Sequence, residues 1–174
     1  FCFGVRRAIE TAEKMLADGD TKIFTVGELI HNRPFLERLE GRGVSICNEE
    51  SAVLLSKEYP NARFLVRTHG LPKNISDTLR REGVRLVDAT CPFVKKIHRI
   101  VAEYSSAETD TIIIGDKHHP EVEGIESYAN GRVAICSDED ELQNFLKNHA
   151  DFGKNGIVLV SQTTFSVKKY EKIY

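Results

Sequence analysis

The chain has 174 residues, room for one large domain or two small ones. With 41% hydrophobic and 29% charged residues it fits a globular chain able to bury a core. A formal net charge of −2 gives no bulk attraction for nucleic acid, no apolar run approaches membrane-spanning length, and four cysteines are too few for a disulfide framework, which points to a reduced, cytoplasmic setting.

The chain opens with "FCFGVRRAI", and residues 5–17 place Val5, Ala8, Ile9, Ala12, Met15 and Leu16 at helical spacing. A β-branched apolar run follows at 22–26 ("KIFTV"), then the polar segment "ELIHNRP". Short apolar runs at 44–46 ("VSI"), 63–66 ("RFLV") and 84–87 ("VRLV") predict further strands. Asn48 reads as the N-cap of an acidic-first helix, and Asn74 or Ser76 as the cap of the helix ending near Gly83. "DATCPFVKKIH" at 88–98 opens a second amphipathic helix over 92–104, with Val94, Ile97, Ile100 and Val101 on its apolar face. Strand patterns return at 111–115 ("TIIIG"), 132–135 ("RVAI") and 156–160 ("GIVLV"), with Ser137 reading as a helix cap after the middle one. Alternation of strand and helix throughout predicts an α/β fold with parallel sheets.

The chain reads as built twice. Cys2 maps onto Cys91 at a shift of 89, "VGELIH" at 26–31 onto "IGDKHH" at 114–119 at a shift of 88, and Cys47 onto Cys136 at a shift of 89. Three blocks in one order at nearly one offset predict tandem pseudo-repeated α/β units, 1–88 and 89–174, dividing near Asp88.

The unusual polar residues gather where strands end and helices begin, in "ELIHNRP", "RTHG", "DATCP", "DKHHPEVEG" and "SQTTFS". In open α/β sheets that edge binds ligands, and helix N-termini there suit phosphate. His31, His69, His119 and the hydroxyls of Thr163 and Thr164 would add donors to a small, anionic, phosphorylated ligand. Taken singly, His31 reads equally well as a loop residue bonded to backbone, His69 as the residue before a helix-entry turn, and His118 as a surface residue. Taken together at one edge, the functional reading is preferred. Cys47 and Cys136 each end a strand inside an apolar run and read as small buried hydrophobes. Glu123 is covered by helix-dipole compensation, whereas Glu121, just past Pro120, is placed for proton transfer.

Cys2 and Cys91 sit where helices start. A helix N-terminus favours thiolate, the form that binds metal or attacks. The chain has no Cys-x-x-Cys unit, and two thiolates cannot close a zinc or iron–sulfur site alone, so a further repeat, a partner chain or nearby histidines would have to contribute.

"FCFGVRRAI", "ELIHN", "THG", "DATCPFVKKIH", "HPEVEG" and "SQTT", in this order from residue 1 to about Ser166, resemble the 4-hydroxy-3-methylbut-2-enyl diphosphate reductases. The resemblance implies a trefoil of three α/β units around a four-iron, four-sulfur (4Fe-4S) cluster held by one cysteine per unit. Cys2 and Cys91 match the first two ligands, and the third cysteine and third unit are expected outside these residues. It assigns His31, His69 and His119 to the diphosphate substrate, Glu121 as proton donor and Thr163 as a hydroxyl contact near the reacting end. The implied reaction is the last step of the non-mevalonate isoprenoid pathway, reductive dehydroxylation to isopentenyl and dimethylallyl diphosphates. Electrons would come from a partner such as ferredoxin or flavodoxin. On that reading the chain by itself is an incomplete, inactive part of the enzyme. Two other readings stand beside it: a non-redox module that binds a phosphorylated ligand, and a dimeric metal-binding protein in which two Cys2/Cys91 pairs supply four thiolates.

Overall fold

The computed structural model describes residues 2–19 and 21–173. The chain divides into two compact units, Phe1–Pro92 and Phe93–Tyr174.

In the first unit the order is α1 (Phe3–Ala17), β1 (Ile23–Val26), α2 (Arg33–Glu40), β2 (Val44–Cys47), α3 (Glu49–Glu58), β3 (Arg63–Val66), α4 (Lys73–Arg81) and β4 (Leu86–Asp88). The four strands form one parallel sheet in the order β2-β1-β3-β4. β1 is buried along its whole length, and its side chains alternate between the two faces. Ile23 packs with Leu65 and with Ala8, Ala12, Met15, Leu36 and Leu39 from α1 and α2. Phe24 and Val26 pack with Phe64, Val66, Ala52 and Leu79 on the α3 and α4 side. Each large aliphatic side chain buried this way contributes roughly 1.5–3 kcal/mol.

The second unit runs α5 (Pro92–Tyr104, whose first residue closes the first unit), β5 (Asp110–Ile114), α6 (Pro120–Glu126), β6 (Val133–Cys136), α7 (Glu139–Asn148), β7 (Ile157–Ser161) and α8 (Val167–Ile173). Its parallel sheet has the order β6-β5-β7. Ile113, Val158 and Val160 face Val101, Val122 and Ile125 of α5 and α6. Ile112, Ile114 and Cys136 face Leu142 and Phe145 of α7 and Tyr170 of α8.

The two units therefore repeat one plan. Each begins with a helix carrying a cysteine at its N-terminal boundary, lays its first two helices on one face of the sheet and its next two on the other. The register repeats as well: Val26 pairs with Cys47, and Ile114 with Cys136. The glycine after each central strand donates its N–H to the opposite cysteine carbonyl, Gly27 to Cys47 at 2.9 Å and Gly115 to Cys136 at 3.0 Å. Both thiols are buried, and burial pushes each up to about 11. Their role as small core hydrophobes, read from the sequence, holds.

All seven strand patterns become strands. Asn48 caps α3 by accepting from the Ser51 N–H at 2.8 Å. Two cap readings need correction. α7 is capped by Asp138, whose Oδ1 accepts from the Glu141 N–H at 2.9 Å, because Asp138 lies three residues before that amide and Ser137 lies four. α4 begins at Lys73 behind Pro72 with no side-chain cap, so Asn74 and Ser76 lie within its first turns.

Candidate functional site

In both sheets the chain leaves the central strand to one side and returns on the other. Its topological switch point lies at the carboxyl ends of β1 and β3 in the first unit, and of β5 and β7 in the second. Loops that follow neighbouring parallel strands are forced side by side. The polar motifs separated by some forty residues in sequence occupy these paired loops.

In the first unit the loop after β1 carries His31 and the loop after β3 carries His69. Their rings stack with centroids 4.7 Å apart. The Thr68 N–H donates to the Leu29 carbonyl at 3.2 Å and ties the two loops. Asn32 caps α2 through its Oδ1, which accepts from the Phe35 N–H at 3.0 Å, so His31 precedes the cap and stays exposed. Arg67 braces the second loop: its Nε donates to the Gly70 carbonyl at 3.1 Å, and its Nη1 lies where a Cβ on Gly27 would stand, at 2.6 Å. Gly27 has φ of 75°, a second reason why no other residue suits this turn.

Cys91 follows β4 in the same unit. Its N–H donates to the Thr68 carbonyl at 2.8 Å, one residue before His69. Cys2 is the N-cap residue of α1, and its side chain makes no capping hydrogen bond. Cys2 is exposed, Cys91 is partly exposed, and both are free thiols. Two accessible thiols at helix N-termini are suitable soft ligands for iron or zinc, in contrast to the buried Cys47 and Cys136.

In the second unit the loop after β5 carries His119, which caps α6. Its Nδ1 accepts from the Glu121 N–H at 3.1 Å. That bond makes Nδ1 the acceptor, so in the neutral ring the proton sits on Nε2. Glu121 is fully buried. Its two carboxyl oxygens both meet Thr163 in the loop after β7, one accepting the backbone N–H at 2.6 Å and the other the hydroxyl at 2.9 Å. Gln162 joins the same loops: its Oε1 accepts from the Asp116 N–H at 3.1 Å and its Nε2 donates to the Thr164 hydroxyl at 2.9 Å. A Cβ on Gly115 would stand 2.7 Å from the Val122 side chain and 3.0 Å from Gln162, so the glycine leaves room for both. His118 is exposed, as read from the sequence, and Glu123 lies exposed in the first turn of α6.

The sequence reading set His31, His69, His119, Glu121 and Thr163 at the carboxyl ends of strands without pairing them; the structure brings His31 to His69 and Glu121 to Thr163. It did not single out Arg67, Gln162, Asn32 or Arg7. For Arg67 and Gln162 the only signal was their position one residue past a strand, opposite a glycine in the neighbouring loop.

Tandem parallel-sheet units with two accessible thiols at helix N-termini, a histidine pair and a buried carboxyl on a threonine are the features of one known class of proteins. The family model described as LytB protein matches residues 1–174, and the chain belongs to that family. Relatives named 4-hydroxy-3-methylbut-2-enyl diphosphate reductase include one from Campylobacter hominis, 42% identical over 99% of this chain, and one from Caldanaerobacter subterraneus, 40% identical over 99%. The chain spans 58% and 57% of the length of these two relatives. Among solved structures, that of (E)-4-hydroxy-3-methyl-but-2-enyl diphosphate reductase, described as the terminal enzyme of the non-mevalonate pathway, matches with a TM-score of 0.76 at 28% identity, covering 99% of this chain and 58% of that one. The Plasmodium falciparum E-1-hydroxy-2-methyl-but-2-enyl-4-diphosphate reductase matches with a TM-score of 0.84 at 28% identity, covering 99% of this chain and 52% of that one. No helix among the described residues is long and apolar enough to cross a membrane.

Proposed function

We propose that these residues form the first two α/β units of a cytoplasmic iron–sulfur reductase. On this reading it converts 4-hydroxy-3-methylbut-2-enyl diphosphate to isopentenyl and dimethylallyl diphosphates. The observation that carries the reading is the fully buried Glu121 with both carboxyl oxygens on Thr163 at the carboxyl edge of the second sheet. A carboxyl group away from water, in line with a hydroxyl that reaches the loop surface, is an arrangement for delivering one proton along a defined path. Thr163 would orient Glu121, and the protonated carboxyl would donate to the Thr163 Oγ as that hydroxyl gives its own proton to the leaving hydroxyl.

His31 and His69 in the first unit, and His119 in the second, would bind diphosphate oxygens. Cys2 and Cys91 would hold two positions of a 4Fe-4S cluster, with a third cysteine from a further unit. Such a cluster, when bound, supplies single electrons from a donor such as ferredoxin or flavodoxin and an open iron position for the substrate hydroxyl. With two accessible thiols of its own, the chain alone would not sustain turnover.

The test is a chimera. Residues 1–174 replace the matching segment of the Campylobacter hominis relative, and substrate consumption is followed anaerobically with a reduced viologen dye. Turnover that is lost on Cys91→Ser supports the reading. A folded, iron-loaded chimera that leaves the substrate untouched refutes it.

A further inference from the structure

Glycine is a poor choice inside a helix, yet Gly4 occupies the first turn of α1. Its backbone is ordinary helix, without a positive φ to explain it. The reason lies in what covers it. A Cβ at Gly4 would stand 2.6 Å from the Cys91 Sγ and 3.0 Å from the Cys91 Cβ. The thiol of Cys91 is thus seated directly on the α1 backbone, two residues from Cys2, in the space that a side chain would otherwise fill.

One turn further along α1, Arg7 reaches the same loop. Its Nη1 donates to the Thr90 carbonyl at 3.1 Å, across 83 residues of sequence. The loop has two more ties: the Thr90 N–H donates to Asp88 Oδ1 at 2.9 Å, and the Cys91 N–H donates to the Thr68 carbonyl at 2.8 Å. The last two fix the loop on the sheet. On the side of the helix that carries Cys2, Ala89 is buried in one cluster with Ala8 and Ala12, and Gly4 and Arg7 hold the Thr90–Cys91 end of the loop.

We propose that Gly4 and Arg7 are positioning residues that seat the Cys91 thiol against α1 and so set its place relative to Cys2. Gly4 provides the space, and Arg7 prevents the loop from lifting out of it. The seat is a property of the first unit and needs no cluster. Its meaning as preparation of two metal ligands rests on the function proposed above.

The experiment measures how fast each cysteine of the 174-residue chain is alkylated by iodoacetamide, read peptide by peptide by mass spectrometry. Wild type is compared with Gly4→Ala, Arg7→Ala and Arg7→Lys. Cys2 is exposed and serves as the accessible reference; Cys47 and Cys136 are buried and report whether the fold holds. Losing one hydrogen bond or the seat should raise the Cys91 rate about fivefold or more in Gly4→Ala and Arg7→Ala. Cys2 should stay within about twofold, and Arg7→Lys should recover part of the protection. An unchanged Cys91 rate in both variants overturns the proposal. So does a rise at all four cysteines together, which would make these residues supports of the fold and not of the thiol. Because no iron, substrate or electron donor is present, the result is independent of the chimera's turnover, and either idea can fail without the other.

Discussion

Replacing Glu121 separates a proton donor from a buried structural carboxyl, because the two roles respond differently to glutamine. Glu121→Ala removes both acceptors from Thr163, leaving a backbone N–H without its partner beside a new void. The void left by the fully buried side chain costs about 2–5 kcal/mol, so a loss of about 3 kcal/mol is expected. Glu121→Gln keeps a carbonyl oxygen for the Thr163 N–H, and the threonine hydroxyl can rotate to accept from the new amide. Its cost should be about 1 kcal/mol or less. For a unit of this size each kcal/mol moves the melting temperature by about 4–8 °C. Thermal unfolding followed by circular dichroism should therefore place alanine about 12 °C or more below wild type and glutamine within about 8 °C. In the chimera, glutamine should still cut turnover by about 100-fold or more, the usual contribution of a positioned acid. The reasoning fails if glutamine unfolds the unit as much as alanine does. It fails equally if glutamine keeps turnover within about threefold of wild type.

Two further outcomes follow from the surrounding chemistry. Burial raises the Cys47 and Cys136 thiols to about 11, so at pH 8 both should resist alkylation until the chain is unfolded in denaturant; prompt native-state labelling would contradict the packing. The Asp110 carboxyl is held below its usual value, first by hydrogen bonds from Arg132 at 2.8 and 2.9 Å, with the Gly153 N–H adding to them against the opposing effect of burial. A depressed folded value means the stabilisation is present above the unfolded value, about pH 4, and is lost as pH falls through the folded one. Acid melts of wild type should thus steepen below about pH 4 relative to Asp110→Asn, and parallel curves would refute the assignment.

Sequence alone determined the elements and the repeat. Short apolar runs rich in β-branched residues, separated by amphipathic stretches, leave few options other than parallel strands buried on both faces. The matched Cys and Gly positions were visible because they sit at corresponding ends of corresponding strands. Helix caps were legible to within a residue where an Asn stood alone, as at Asn48. They were displaced where neighbouring Ser and Asp competed, as at Ser137 and Asp138, because the cap is decided by which oxygen reaches the amide three residues on.

What only the tertiary structure decided is which loops meet. The switch point brings Glu121 to Thr163 and His31 to His69, and no local pattern encodes either pair. The same holds for Arg7 on Thr90 and Gly4 under Cys91, 83 and 87 residues apart. In the sequence Arg7 is one of three basic residues on a helix, and Gly4 a weak helix former. Their roles exist only because a parallel sheet returns the chain, four strands later, to the end of the helix where it began.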